Sequence, residues 1–247
     1  MANGDNERLD LTELQATLRE RNAGWIAAET PLSQLPIEEK ARRLGAVPPA
    51  GVTLEEIAAR ARDVQAAIAT EKAIGAPSAY DLRNVNGQNF ITPIKDQGNC
   101  GSCVAFGTCA AIEGTYHRQQ NNPNLQIDLS EAQLFYCHGR AQGRNCTNGW
   151  IPNQALATCQ DPGIADEACY PYTAGDQNCS HLCADWRNRV VQVTGFHAIT
   201  STAQMKEWIS TRGPLTAYFV VYNDFYSYSS GVYRHVTGMP RGEMQSK

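Results

Sequence analysis

The nine cysteines of this 247-residue chain all lie between Cys100 and Cys183, so one stretch of the sequence carries every thiol. Cysteines so numerous and so closely grouped are unusual for ordinary reduced core residues and favour a domain held together by disulfides. The odd count predicts four bridges and one free thiol. We therefore expect the fold to form around this stretch, with one cysteine set apart from the rest.

Two of these cysteines are separated by only two residues, in the segment Gln97-Gly-Asn-Cys-Gly-Ser-Cys103 just ahead of an apolar helical run. Such a pair is typical of a zinc half-site, a redox pair, or a structural cysteine beside a nucleophile. The only second pair for zinc, Cys179 with Cys183, has a poorly fitting three-residue spacer. A redox pair should follow a buried strand, but Pro93 interrupts the preceding residues. These two alternatives stay open, and the flanking residues favour the third.

Each residue of the turn has a chemical use if Cys103 is a nucleophile. Gly98 and Gly101 let the backbone turn sharply and let a substrate carbonyl approach closely. Cys103 opens the helix, where the positive end of the helix dipole favours the nucleophilic thiolate. The Gln97 side-chain amide pairs with the Cys103 backbone N–H to stabilise a developing oxyanion. We therefore predict Cys103 and Gln97 as catalytic residues.

This turn resembles the active-site turn of the papain family of cysteine proteases, whose signature is Cys-Gly-Ser/Ala-Cys-Trp/Tyr. The chain departs from it at Val104, where the family usually has an aromatic residue. The resemblance implies an α+β, papain-like two-domain fold with a left helical domain, an incomplete right antiparallel β domain and an N-terminal helical prosegment. It also implies hydrolysis of protein or peptide substrates through a thioester on Cys103, with no metal and no cofactor.

Further segments continue the resemblance. Asn145-Cys-Thr-Asn-Gly-Trp150 resembles the family's Gly-Cys-Asn-Gly-Gly substrate loop, which implies that Gly149 and its neighbour Asn148 bind the substrate main chain. Only glycine permits so close an approach without a Cβ clash. Leu129–Cys137, a predicted helix capped by Ser130, and Tyr170-Pro-Tyr172 are two more matches. Together the matches imply the bridges Cys100–Cys146 and Cys137–Cys179, and they leave four cysteines unassigned: Cys109, Cys159, Cys169 and Cys183.

Residues 1–76 contain no cysteine and are predicted to be helical, in contrast to residues 77–247. Capping boxes are indicated at Asp10 with Glu13 and at Thr53 with Glu56. Another helix is expected at Ile37–Leu44, between Pro36 and Gly45. Apolar stripes run along the first and last of these helices and need a partner surface: Leu11, Leu14, Leu18 and Trp25, then Leu54, Ile57, Ala61, Val64 and Ile68.

Two explanations account for these stripes. A small helical subdomain is the simpler one. The papain resemblance favours an inhibitory prosegment, of the short cathepsin B type because of Gly24-Trp-Ile-Ala-Ala28. It implies that the chain's own prosegment lies in the cleft, and that a linker within Ala46–Gly51 or Ile74–Ala79 crosses the cleft and is cut on activation.

The C-terminal part changes to strand patterns at Val190–Val193 and Gly213–Val221, with a helix at Thr202–Thr211 between them. A cysteine nucleophile also needs a histidine base and a residue that orients it. In the papain family these two residues follow the cysteine by about 130–150 positions. Counted from Cys103, that window is about residues 233–253. His235 lies in that window but follows Gly231 too closely, and His197 lies too early in the chain.

No asparagine follows Asn223, so the family's orienting residue is not found either. We therefore expect a chain truncated before its catalytic His and Asn and inactive or nearly so. The alternative is a non-catalytic binding protein, or a prosegment-type inhibitor of a related protease.

Composition restricts the partners. The net charge of −4 argues against nucleic acid, and no apolar run approaches the length of a membrane span. The cysteine content suggests a secreted or vesicular location, although residues 1–8 lack the apolar segment of a signal peptide.

Overall fold

The structure is a computed structural model that describes residues 9–48, 50–53, 55–60, 63, 75–238 and the backbone of 240–246. Its α-helices are α1 (Leu11–Glu20), α2 (Ile37–Ala41), α3 (Cys103–Gln119), α4 (Pro152–Gln160) and α5 (Thr202–Thr211). Its strands are β1 (Trp25–Ala27), β2 (Ala217–Tyr222), β3 (Tyr228–Gly231) and β4 (Pro240–Ser246). A π-helical segment spans Gln133–Gly139, and short 3-10 helices span Cys179–His181, Trp186–Asn188 and Asn223–Ser227. Residues 55–60 are helical as well.

The main core is built around α3. Every residue from Cys103 to Ala110 is buried, as expected for a helix that other elements cover on all sides. Its neighbours in the core include Phe135 of the π-helical segment, Trp150, and Cys159 of α4. The start of α3, which carries Cys103, is therefore fixed by the best-packed part of the molecule.

A buried ion pair fixes the segment that leads into the Gln97 turn. The Lys95 ammonium lies 2.8 Å from the Glu131 carboxylate, whose side chain is only 2% exposed. Nearby, the Glu113 carboxylate of α3 accepts a hydrogen bond from the Leu129 backbone N–H at 2.8 Å. Because a buried charge without its partner is costly, these contacts hold the turn against α3 and the following helix.

In the part of the chain that the structure describes, the strands form two separate antiparallel sheets of two strands each. β1 pairs with β3, placing Trp25 opposite Gly231, and β2 pairs with β4, placing Phe219 opposite Met244. The α+β class expected from the sequence is confirmed. The first sheet joins the N-terminal residues to the C-terminal part of the chain.

The predicted helical stripe is wrong at Trp25. α1 begins as expected, with the Asp10 carboxylate accepting from the Thr12 and Glu13 N–H groups. It ends at Glu20 because Asn22 and Gly24 adopt positive φ angles of 46° and 76°, which no helix continues. Trp25 instead begins β1.

Other predicted boundaries shift for local reasons. α5 spans the predicted Thr202–Thr211, whereas α2 stops three residues before the predicted end at Leu44. β2 starts at Ala217 and not at Gly213, because Pro214 has no N–H for a ladder. In place of the strand predicted at Val190–Val193, only Val191 forms a bridge, to Ile164.

The capping box predicted at Thr53 is confirmed. The Thr53 N–H donates to the Glu56 carboxylate at 2.8 Å, and the Glu56 N–H donates to the Thr53 hydroxyl at 3.2 Å. Most of the helix predicted to follow lies outside the described residues, including four members of its apolar stripe: Leu54, Ala61, Val64 and Ile68.

A second apolar cluster attaches α1 and β1 to the C-terminal part. The Trp25 side chain is only 5% exposed and packs with Leu14 and with Val236. Its ring centroid lies 5.3 Å from that of Tyr233, and its indole N–H donates to the Arg234 carbonyl at 2.8 Å. Trp25 is therefore the central contact of this attachment.

We expect Trp25→Ala to lower the free energy of unfolding by about 3–5 kcal/mol, the usual cost of truncating a buried tryptophan. Ile26→Ala is the matched control, because Ile26 is the next residue of β1 and is 61% exposed. It should change stability by no more than about 0.5 kcal/mol. Urea unfolding followed by circular dichroism measures both, and equal losses in the two variants would contradict this packing.

Candidate active site

The Gln97 turn leads directly into α3, whose first residue is Cys103, and the Cys103 side chain is 1% exposed. The Gln97 side-chain amide donates to the Cys100 carbonyl at 2.6 Å and to the Arg43 carbonyl at 2.8 Å. A side-chain amide has two N–H hydrogens, so both are used. One closes the turn, and the other binds a peptide carbonyl from the N-terminal part of the chain.

A disulfide joins this turn to the predicted substrate loop. Cys100 is bonded to Cys146 across a separation of 46 residues. In the chain-entropy model, closing such a loop is worth roughly 4 kcal/mol. The Gly101 N–H also donates to the Cys146 carbonyl at 2.9 Å. The turn and the loop therefore form one rigid frame.

The structure contains three disulfides: Cys100–Cys146, Cys137–Cys179 and Cys169–Cys183. The first two are the pairings that the resemblance implies. Because Cys100, Cys179 and Cys183 are all bonded to other cysteines, the zinc and redox alternatives are wrong.

The prediction of four bridges and one free thiol is also wrong, because three cysteines, Cys103, Cys109 and Cys159, form no disulfide and are all buried. Burial raises the pKa of Cys109 well above its ordinary value and the pKa of Cys159 to about 12. The Cys159 thiol donates to the Ala155 carbonyl at 3.1 Å. Cys109 and Cys159 therefore act as small apolar core residues, a role that the spacing of cysteines does not reveal.

Residues 43–47, which we call the crossing segment, run across this frame. The Trp150 N–H donates to the Gly45 carbonyl at 2.8 Å, and the Val47 N–H donates to the Trp150 carbonyl at 2.9 Å. The two segments are parallel, with Ala46 opposite Trp150. The N-terminal part of the chain thus binds the predicted substrate loop through its main chain.

Glycine at positions 45 and 149 allows the crossing segment to pass this close to the frame. Gly149 has a φ of +60°, and a Cβ built on it would lie 2.1 Å from the Gly45 carbonyl oxygen. A Cβ on Gly45 would lie 1.9 Å from the Gly101 carbonyl oxygen. Since real Cβ atoms essentially never come that close, a side chain at either position requires the segment to move.

The crossing segment overlaps the first predicted linker, Ala46–Gly51, only at its start. Arg43, which the sequence analysis missed, anchors it: the guanidinium lies 2.8 Å from the Asp96 carboxylate. A hydrogen bond from the Gly98 N–H and the contact with Arg43 lower the pKa of Asp96. Because Asp96 is 77% exposed, solvent screens this ion pair, and it serves to orient more than to stabilise.

Asn148 holds the substrate loop in shape. Its side-chain oxygen accepts from the Asn145 N–H at 2.8 Å, and its amide donates to the Gly143 carbonyl at 3.0 Å. These contacts lie within the loop and position Gly149. Direct binding of substrate by Asn148 and Gly149 stays a prediction.

All five histidines lie among the described residues. The His235 Nδ1 atom lies 3.3 Å from the buried Asp224 carboxylate, and its ring stacks on Tyr222 with centroids 3.7 Å apart. The His197 ring meets Trp208 edge-on at 5.2 Å. These contacts place both sequence candidates for the base against groups outside the Gln97 turn.

The other three histidines have different surroundings. His117 lies on α3, with its Nε2 atom 2.9 Å from the Leu125 carbonyl oxygen. His138 packs edge-on to Trp186, and burial lowers the pKa of its ring. His181 is exposed on a 3-10 helix.

The sequence model of the family described as Papain family cysteine protease matches residues 76–245. A cathepsin L-like proteinase of Fasciola hepatica is 35% identical over 166 residues, covering 66% of this chain and 48% of that protein. Thiol protease aleurain of Arabidopsis thaliana is 36% identical over 167 residues, covering 66% and 43%. The chain spans less than half the length of these curated relatives.

Two solved precursor structures are similar. Procathepsin B S9 of Trypanosoma congolense has a TM-score of 0.67 at 25% identity, covering 97% of this chain and 82% of that one. Procathepsin L2 from the larval midgut of Tenebrio molitor has a TM-score of 0.68 at 25% identity, covering 95% and 73%. The fold expected from the sequence is confirmed. Within the described residues, no helix combines the length and apolar character needed to cross a membrane.

We expect Gly45→Ala to displace the crossing segment and to raise the rate of Cys103 alkylation by iodoacetamide about tenfold or more, a free-energy change of about 1.4 kcal/mol. The physical reason is the 1.9 Å contact that the new Cβ would make with the Gly101 carbonyl. Peptide mapping by mass spectrometry measures the rate for each cysteine separately.

Gly195→Ala is the matched control, because a Cβ there has nothing within 4 Å. Cys109 and Cys159 report global unfolding in the same samples, since both are fully buried in the core. Equal acceleration at all three thiols, or none at Cys103, would contradict a local displacement.

Proposed function

Because the chain belongs to the papain family of cysteine proteases, we propose that it is the zymogen form of a cysteine peptidase that acts on protein or peptide substrates. The observation that carries this proposal is the hydrogen bond from the Gln97 amide to the Arg43 carbonyl. It sets a peptide carbonyl against the side chain predicted to bind the oxyanion. Residues 1–76 are the prosegment in this proposal, and residues 77–247 belong to the peptidase domain.

The reaction proceeds through a thioester. The Cys103 thiolate attacks the peptide carbonyl carbon, and a bond forms between sulfur and carbon while the carbonyl oxygen takes the negative charge. The Gln97 amide and the Cys103 N–H stabilise that charge, and one such donor is typically worth about 10²–10³ in rate. The C–N bond then breaks as a general acid gives its proton to the departing amine. Water next attacks the thioester carbon, the S–C bond breaks, and the acid leaves with the Cys103 thiolate restored.

The prosegment inhibits by occupying the main-chain binding positions. The Arg43 and Gly45 carbonyls take the hydrogen bonds of Gln97 and Trp150, which a substrate would otherwise receive. Cys103 is almost fully covered. Displacement or cleavage of residues 43–47 is therefore required before a substrate binds.

The departing amine needs a proton, and none of the five histidines has the sequence context that the papain resemblance requires of the donor. His235 is paired with Asp224, and His197 packs on Trp208. We propose that this chain hydrolyses peptide amides very slowly or not at all. Active esters behave differently, because nitrophenolate leaves without a proton.

We expect p-nitrophenyl acetate to transfer one acetyl group per chain to Cys103, seen as a burst of nitrophenolate and located by mass spectrometry. Cys103→Ser should abolish the burst, and Cys109→Ser should retain it because that thiol is buried and protonated. A fluorogenic peptide amide should show no turnover above the Cys103→Ser background. An acetyl group on Cys109 or Cys159, or sustained peptide turnover lost in Cys103→Ser, would contradict the respective parts of this proposal.

A second candidate, an inhibitor of a related protease, is favoured by one observation. The crossing segment binds its cleft chiefly through main-chain groups, which another enzyme of the family can also recognise. The Cys103→Ser chain, added to an active papain-family enzyme, tests it. Inhibition at nanomolar to micromolar concentration supports this function, and unchanged activity excludes it.

A further inference from the structure

Tyr172 joins the two ends of the Gln97 turn. Its hydroxyl donates to the Gln97 carbonyl at 2.8 Å and lies 2.8 Å from the Ser102 hydroxyl oxygen. A phenol has one proton, and the Gln97 carbonyl receives it, so Ser102 is the donor in the second bond. One oxygen atom therefore holds both the residue that carries the oxyanion donor and the residue just before the nucleophile.

Ser102 occupies the N-cap position of α3 but does not act as a cap. A serine there usually accepts a hydrogen bond from an N–H group of the first helical turn. The Ser102 side chain makes no such bond, and it is fully buried with its hydroxyl directed to Tyr172. The Ser102 hydroxyl is therefore committed to Tyr172 and not to the first turn of α3.

The Tyr172 ring is held independently of these hydrogen bonds. It stacks on Tyr136 with centroids 5.5 Å apart and meets Phe106 edge-on at 4.8 Å. Its backbone N–H donates to the Glu167 carboxylate at 2.7 Å, and burial raises the pKa of its phenol, which keeps the proton in place. Packing thus sets the position of the hydroxyl, and the hydroxyl in turn sets the positions of Gln97 and Ser102.

We propose that Tyr172 is a positioning residue for the peptidase reaction. Its hydroxyl fixes the spacing between the Gln97 amide and Cys103, so that both oxyanion donors converge on one carbonyl oxygen. The inference rests on the proposed function, because it needs Cys103 as nucleophile and Gln97 as donor. Oxyanion donors act through pre-organisation, so a small loss of convergence lowers the rate of any step that builds negative charge on that oxygen.

The test compares two reactions of Cys103 in the full chain. With p-nitrophenyl acetate, a bond forms between sulfur and the acyl carbon, an oxyanion develops, and the C–O bond breaks to release nitrophenolate. With iodoacetamide, a bond forms between sulfur and carbon and iodide leaves, without an oxyanion. In both reactions the thiol proton passes to buffer. The prosegment covers Cys103 equally in both reactions, so this effect cancels in the ratio of the two rates. The ratio therefore measures oxyanion stabilisation alone.

We expect Tyr172→Phe, which keeps the ring, to lower this ratio about five- to tenfold, and Gln97→Ala to lower it about 100-fold. Tyr170→Phe is the matched control, because the Tyr170 hydroxyl donates to the Asn178 carbonyl at 2.6 Å, away from the turn. Its ratio should stay within about twofold of the unmodified chain, since it leaves both oxyanion donors in place. Ser102→Ala removes only one of the two Tyr172 bonds, and it replaces Tyr172→Phe as the test variant if that chain does not fold.

The outcomes distinguish failure of the Tyr172 role from failure of the proposed function. A normal ratio in Tyr172→Phe or its substitute, together with a low ratio in Gln97→Ala, overturns this inference and leaves the proposed function standing. A normal ratio in Gln97→Ala overturns the oxyanion role itself. If Cys103 reacts with either reagent only after unfolding in urea, even in the Gly45→Ala chain whose crossing segment is displaced, the proposed function and this inference are overturned together. A fall in the Tyr170→Phe ratio equal to that of Tyr172→Phe would show a general structural effect.

Discussion

The Cys100–Cys146 disulfide is the constraint on which the cleft depends. It bonds the turn before α3 to the loop that carries Gly149, and the separation of these two walls is then fixed covalently. The gap between these walls is wide enough for a main chain but not for a side chain at the contacts, as the Cβ distances at Gly45 and Gly149 show. Whatever crosses this frame is therefore recognised by its backbone, which suits a site for extended peptides of varied sequence.

The proposed prosegment is attached at two places with different physical strengths. Trp25 and its neighbours bury apolar area against the segment around Val236, which the buried Asp224 carboxylate holds through the Val236 N–H at 2.8 Å. At the cleft, the crossing segment relies mainly on backbone hydrogen bonds, each worth about 0.5–1.5 kcal/mol net. Residues 43–47 are thus the more weakly held part of the proposed prosegment, and we expect them to open while α1 and β1 stay docked.

Local signals predicted the local structure well. The start of α3 at Cys103, the span of α5 and the Thr53 capping box each follow from residues close together in sequence. The contacts that complete the site join distant residues: Arg43 and Asp96 are 53 positions apart, and Tyr172 and Gln97 are 75 apart. No pattern of charge or periodicity pairs such residues in advance. The wrong prediction at Trp25 has a local cause. Two residues with positive φ, Asn22 and Gly24, end the helix, although the helical spacing of apolar residues continues to Trp25.

The two halves of the proposed chemistry depend on different parts of the chain. The proposed nucleophile and oxyanion donors are assembled by α3, the Cys100–Cys146 disulfide and the Gln97 amide, all of which lie between residues 97 and 146. None of these contacts involves a histidine, so the oxyanion half needs no base in order to form. Proton delivery to a leaving amine is a separate requirement that this frame does not supply. In the proposed mechanism, attack and departure are therefore physically separable steps, because pre-organised donors lower the barrier to the first while only a proton donor lowers the barrier to the second.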